Sequence, residues 1–189
     1  MFLICGLGNP GKEYINTRHN VGFNLIDKIS NYYNFSPFKK DNKKEVYKGL
    51  IDNQPCLLIK PLKFMNLSGK PVQEIMNFYK IKKNKLYVIH DDIDLELGKI
   101  KVKLGGGNGG HNGLFSIDET IGNDYYRLRI GIDHPGLKNL VSNYVLNKFN
   151  NDELNIVEEK LTKITENFGI LLENSNLFLT KVAEEINGI

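Results

Sequence analysis

The chain has 189 residues, 41% hydrophobic and 25% charged, a balance that excludes disordered, collagenous and mucin-like chains and makes one domain over residues 1–189 the expectation. No apolar run approaches the roughly 20 residues of a membrane span, and two cysteines, Cys5 and Cys56, supply neither a disulfide framework nor a cysteine-based zinc site, which suits a reducing cytoplasm. Net charge is +3, but residues 150–189 hold three basic against eight acidic side chains and residues 1–149 hold 22 against 14, so a basic body with an acidic tail points to a polyanionic partner, with lysine also serving as an ordinary surface residue.

Residues 2–7 form a short apolar run ended by glycine, the pattern of a buried strand, and the N-terminus has neither the basic start nor the long apolar core of a signal peptide. Residues 20–33 place Val21, Phe23, Leu25, Ile26, Ile29 and Tyr33 near one helical face, with Thr17 as a cap. Residues 39–44 read as a solvated basic loop. Residues 45–51 and 55–60 flank Asp52-Asn53-Gln54 as a hairpin. Residues 61–69 read as a loop and residues 71–79 as a helix opened by proline. Residues 85–90 read as a strand ending at the cluster Asp91, Asp92, Asp94. A strand over 99–104, a glycine loop over 105–110, a helix over 112–121 and a strand over 126–132 follow. Residues 141–149 carry no decisive pattern. Residues 151–168 and 175–186 are amphipathic helices. Strands interleaved with helices predict an α/β fold, a single-domain twisted mixed β-sheet flanked by helices.

Gly6-Leu7-Gly8-Asn9-Pro10-Gly11 matches the dinucleotide fingerprint, but that motif needs a helix opening within the glycines. Here the helical pattern starts near Asn20, so a tight turn exposing Asn9 at a strand end fits better. Thr17-Arg18-His19-Asn20 puts His19 at a helix start, where the N–H groups disfavour imidazolium and would keep the ring neutral, as a general base requires. Phe64-Met65-Asn66-Leu67-Ser68-Gly69 places an apolar pair in a loop. It reads either as a loop tucked onto the core or as a pocket wall in which Asn66 offers a donor and an acceptor. His90-Asp91-Asp92-Ile93-Asp94 could suit a divalent cation. Strand alternation would split those carboxylates between faces, however, and a single carboxylate orienting His19 fits better than a metal. Gly105 to Gly110 holds five glycines around Asn108. They let the backbone approach a ligand and donate N–H groups to an anion, without the Lys-Ser/Thr ending of a P-loop. Asn112 follows as a helix cap or an amide donor. Of the chain's three arginines, Arg127 and Arg129 share one face of a strand, where they can pair with the acidic tail or hold a phosphate.

In this order, GLGNPGKEYINTRHNVGF, FMNLSGKPV, HDDIDLELG, KVKLGGGNGGHNGL and YRLRIGI with His134-Pro135-Gly136, the motifs closely resemble the bacterial-type peptidyl-tRNA hydrolase family from Phe2 to about Phe149. The resemblance implies a monomeric enzyme with no metal and no cofactor, cleaving the ester between a peptide and the 3′ ribose of tRNA. It implies that His19 is the catalytic base and Asp91 its acidic partner, and that Asn9, Asn66 and Asn112 line the site. Tyr14, Met65 and His111 would form its walls, and Lys103 and Arg129 would contact tRNA phosphate. Ser68 has no histidine in an obvious partner position, so direct water attack is preferred to an acyl-enzyme. Asn108 and Asp133 depart from the family pattern, and Asp133 puts an extra negative charge near the arginine strand. Two other readings follow from the same residues: a non-catalytic RNA-binding module on the same scaffold, as in organellar splicing factors, and a nucleotide-binding oxidoreductase resting on the glycine pattern alone.

Overall fold

The computed structural model describes residues 1–183; residues 184–186 of the expected last helix lie outside them. Seven strands form one sheet: β1 (Phe2–Gly6), β2 (Ser36–Lys40), β3 (Lys44–Ile51), β4 (Gln54–Pro61), β5 (Leu86–Asp92), β6 (Ile100–Leu104) and β7 (Tyr126–Gly131), in the order β2-β3-β4-β1-β5-β7-β6. β1 runs parallel to β4 and β5, and β5 parallel to β7. β2, β3 and β4 pair antiparallel, as do β6 and β7. The sheet is therefore mixed.

β1 lies between β4 and β5 with both faces covered, which is why its sequence is one apolar run and not an alternating one. Period two divides it between two cores. Phe2 and Ile4 pack with α1 (Val21–Tyr32) and with α5 (Asn151–Glu166), α6 (Phe168–Glu173) and α7 (Ser175–Ala183). Leu3, Cys5 and Leu7 pack with α2 (Gly69–Tyr79) and α3 (Asn112–Ile121). The chain leaves β1 toward β4 on one side and returns as β5 on the other, so the sheet order switches at β1. In α/β sheets a crevice opens at such a point, beyond the carboxyl ends of the strands.

The two-residue turn Asp52-Asn53 has φ of 46° and 64°, the left-handed pair of a tight hairpin, so Gln54 belongs to β4 and not to the turn. The expected basic loop at 39–44 is a loop only over 41–43, and its flanks belong to β2 and β3: β2 is an edge strand whose five residues are all exposed, which leaves no hydrophobic alternation to read. Residues 141–149 contain α4 (Val141–Leu146), a six-residue helix with no fully buried residue, too short to show a sustained apolar stripe. The expected helix over 151–168 breaks at Asn167, where α5 ends and α6 begins. Thr17 does not cap α1. Its hydroxyl donates to the Tyr14 carbonyl, and a 3-10 turn, Arg18–Asn20, precedes the helix.

The helix α1 enters against the end of β1 so closely that only hydrogen fits on one residue. A Cβ on Gly22 would lie 2.5 Å from Leu7 N and O and 2.6 Å from Ile89 O, all backbone atoms that cannot rotate away. Gly22→Ala is expected to lower the unfolding free energy by at least about 3 kcal/mol in urea denaturation, the upper range for overpacking. Gly107→Ala, with nothing within 4 Å of the added carbon, should change it by less than about 0.5 kcal/mol.

Candidate active site

A cleft of about 960 Å³ opens beyond the ends of β1 and β5. The residues that the motifs singled out converge on it from six separate segments. Asn9, Tyr14, His19, Met65 and Asn66 line it together with Asp91, Lys103, His111, Asn112 and Arg129.

At its head, two imidazoles share one carboxylate. His19 Nδ1 lies 2.9 Å from both Asp91 oxygens, and His111 Nε2 lies 3.0 Å from Asp91 Oδ1. An ionised carboxylate only accepts, so each of those nitrogens carries a hydrogen. The proton on Nδ1 leaves Nε2 of His19 as the ring's lone-pair atom. His111 Nδ1 must then be an acceptor, and it receives the N–H groups of Gly113 (3.1 Å) and Leu114 (3.4 Å). His111, not Asn112, is therefore the side-chain cap of α3.

Asn9 is fixed by a residue the motifs had not singled out for a role. Asn20 Oδ1 accepts from Asn9 N and Asn20 Nδ2 donates to Asn9 O, each at 2.9 Å. The Asn9 Oδ1 atom accepts from Met65 N at 2.9 Å, which sets the orientation of its amide and leaves Nδ2 as the group it offers to the cleft. The same contact anchors the Met65–Leu67 turn, with Met65 buried and Asn66 exposed in the cleft. The Ser68 hydroxyl is buried and donates to Met65 O at 2.8 Å, so it is not placed as a nucleophile.

A family model described as peptidyl-tRNA hydrolase matches residues 3–188. The chain belongs to the peptidyl-tRNA hydrolase family. It is 53% identical over 175 residues to the peptidyl-tRNA hydrolase of Rickettsia canadensis (strain McKiel), covering 92% of this chain and 95% of that one. It is 50% identical over 190 residues to that of Rickettsia prowazekii (strain Madrid E), covering all of both. A crystal structure of peptidyl-tRNA hydrolase from Acinetobacter baumannii superposes with a TM-score of 0.90 at 36% identity, over 96% of this chain and 94% of that one.

The electrostatics at His19 differ from the sequence expectation of a ring kept neutral by a helix start. Burial does work against the charged ring, but the charge and hydrogen bond of Asp91 more than offset it, and the His19 pKa lies above its ordinary 6.5. The single 3-10 turn at Arg18–Asn20 is too short to oppose a buried carboxylate at contact distance. Asp91 stays ionised: burial alone would raise its pKa, yet His19 and His111 hold it far below the usual carboxylate range. His90, also in the cleft, is uncharged. Burial and the neighbouring His111 lower its pKa to about 3, its Nδ1 donates to the Asp91 carbonyl at 2.7 Å, and its Nε2 has no partner among the described residues.

His19, Asp91 and His111 have donor atoms within 4.8 Å of one another, the chemistry of a cation site. Here the histidine nitrogens nearest the carboxylate are protonated donors to it, which suits hydrogen bonding and not ligation. Among the basic groups, Lys103 is exposed and lies against Gly106, where a Cβ would come within 2.8 Å of its Nζ. Arg129 Nε donates to Asp92 at 2.6 Å. Among the described residues Arg127 does not pair with the acidic tail; it is 2% exposed, grips Asp118 of α3 and donates to the Gly107 carbonyl at 2.6 Å. The departures are local. Asn108 accepts from Gly110 N inside its own loop, and the Asp133 carboxylate accepts from Leu97 N at 2.9 Å.

In a histidine proton titration followed by NMR, His19 should titrate above 6.5. With Asp91→Asn the burial is unopposed, so its midpoint should fall below 6.5. A base that works unprotonated then loses activity in the wild type as the pH drops through the raised value, and in the variant only at lower pH.

Proposed function

We propose that this chain hydrolyses the ester between a peptide and the 3′ ribose of tRNA, using His19 as general base. The buried His19–Asp91 contact at the head of the cleft, with Nε2 as the unprotonated ring atom, is the observation that carries this reading. In the reaction, His19 Nε2 takes a proton from water as that water attacks the ester carbonyl. Asp91 holds the ring and stabilises the imidazolium formed, and such acid–base help is worth about 10²–10⁴-fold. As the tetrahedral intermediate collapses, the imidazolium returns the proton to the ribose oxygen. Asn112 donates to the developing oxyanion, a contribution of about 2.7–4 kcal/mol in comparable sites. An ester is activated enough to need neither a metal nor a covalent nucleophile.

Asn9 and Asn66 hydrogen-bond the last peptide group, with Tyr14 and Met65 as apolar walls and His111 supporting Asp91. A free aminoacyl ester lacks that group and would leave amides unpaired, a penalty by which polar pockets discriminate. Lys103 and Arg129 hold a tRNA phosphate, Arg129 through the guanidinium nitrogens not bonded to Asp92. We read the chain as one domain, a cytoplasmic monomer without cofactor. No helix among the described residues is long and apolar enough to cross a membrane. A non-catalytic RNA-binding module on the same scaffold would have no use for the His19–Asp91 pair, and failure of the wild-type chain to cleave any peptidyl-tRNA would favour it.

His19→Ala should abolish release of N-blocked amino acid from N-blocked aminoacyl-tRNA while filter binding of tRNA persists. Normal turnover in that variant would end the assignment. Unblocked aminoacyl-tRNA should be cleaved far more slowly by the wild type, and a chelator should leave the rate unchanged. Asn66→Ala should depress cleavage of the blocked substrate much more than a change of tRNA identity does.

A further inference from the structure

Arg18 directly precedes the proposed base, and nothing above gives it a part in the reaction. It is 6% exposed yet carries a full charge. Its Nη2 donates to both carboxylate oxygens of Glu153, at 2.8 and 2.6 Å, and its Nη1 donates to the carbonyls of Asn147 (3.3 Å) and Lys148 (2.9 Å). The guanidinium carbon lies 4.2 Å from the centre of the Tyr144 ring and 5.1 Å from that of Phe149. The backbone repeats the connection. Arg18 N donates to Asn147 O and Phe149 N to Asn16 O, and Thr17 and Lys148 form an antiparallel bridge.

All of these partners belong to one stretch of chain, running from α4 into the first turn of α5. The helix α4 forms a wall of the cleft through Val141, Ser142, Val145 and Leu146. None of its residues is fully buried; Tyr144 and Val145 rest half-buried against the core. Its polar attachments are the Tyr144 hydroxyl on the Ile132 carbonyl and the Arg18 cluster. The Glu153 carboxylate, on the far side, also accepts from the backbone N–H of Asn150 at 2.8 Å. A buried ion pair is often replaceable by apolar residues with no loss of stability, so stability alone does not call for a guanidinium here. Its planar fork addresses a carboxylate and two carbonyls while its face covers an aromatic ring, which a lysine ammonium cannot do together.

We propose that Arg18 is a positioning residue that locks the α4 wall and the His19 turn into one unit, so that a peptide lying against α4 is held in register with the base. The proposal rests on the reading of His19 as general base. Asp91 from β5 and the His111 ring at the start of α3 face His19 directly; Glu153 and Tyr144 face Arg18 and act on His19 only through it.

The test compares Arg18→Lys, Glu153→Gln and Asn150→Ala in the full chain, each assayed well below its own melting temperature. Asn150→Ala removes the side-chain half of the capping box that Asn150 and Glu153 form at the start of α5, without touching Arg18. Displacement of a catalytic group by about 1 Å can cost on the order of 10²-fold. Arg18→Lys should therefore lower kcat roughly 10- to 100-fold with a smaller change in KM, and should move the acid limb of the pH profile downward as the His19–Asp91 contact loosens. Glu153→Gln should shift both in the same direction to a lesser degree, and it carries the test where Arg18→Lys does not fold. Asn150→Ala should lower the melting temperature and leave kcat and the acid limb in place. If Arg18→Lys and Glu153→Gln behave like Asn150→Ala, Arg18 is structural only and the proposal is overturned. Turnover surviving His19→Ala would remove the base assignment itself, whereas an inactive His19→Ala beside a wild-type kcat in Arg18→Lys would remove the Arg18 role alone.

Discussion

A carboxylate held ionised inside a protein must be surrounded by donors, because an uncompensated buried charge is strongly destabilising. Asp91 meets that requirement with two imidazoles and no lysine or arginine in contact. Much of the site follows from this choice. Each ring has to turn a protonated nitrogen toward the carboxylate, which fixes both tautomers. For His19 the outcome is a lone pair on Nε2. For His111 it is an acceptor at Nδ1, which the first N–H groups of α3 satisfy. One buried charge thereby sets the state of the base and closes the end of the glycine loop.

The fold holds these groups by close backbone contact more than by side-chain packing. The lack of a side chain at Gly22 lets α1 press on the end of β1 and on β5, which brings the His19 turn beside Asp91. Reciprocal hydrogen bonds between Asn20 and the Asn9 backbone stitch the first loop to that turn, and Asn9 in turn holds Met65. The two arginines of β7 divide their work. Arg127 tethers the root of the glycine loop through Gly107 and Asp118, while Arg129 is tied by one nitrogen to Asp92 at the cleft edge. Basic charge around the cleft is thus partly neutralised within the protein, and Lys103 stands as an exposed cation on its rim.

Elements with a strong apolar pattern were legible in the sequence. β1, β5, α2 and α3 lie close to the expected ranges because their burial imposes a run or a 3.6-residue stripe. β2 and α4 were not legible: an edge strand exposed on every residue shows no alternation, and a six-residue helix with only half-buried apolar residues is too short to show a stripe. The cap of α3 was misplaced because His111 acts as a cap only when Asp91 fixes its tautomer, and that contact spans 20 residues. The direction of the His19 pKa shift was not legible for a related reason, since a local helix-start argument cannot weigh a carboxylate 72 positions away.

What the sequence by itself determined is the inventory: an α/β chain, a set of polar residues at strand ends and loop tips, and the chemical types that could act on an ester. Local periodicity and turn chemistry are short-range properties, and they are written in neighbouring residues. The tertiary structure alone decided which of those groups meet, the tautomers they adopt, which arginine is buried as a strut, and that Arg18 joins the cleft wall to the proposed base. Those outcomes depend on contacts between residues far apart in the chain and on the low polarity of the interior. Under those conditions a single carboxylate outweighs the local preferences of the histidines around it.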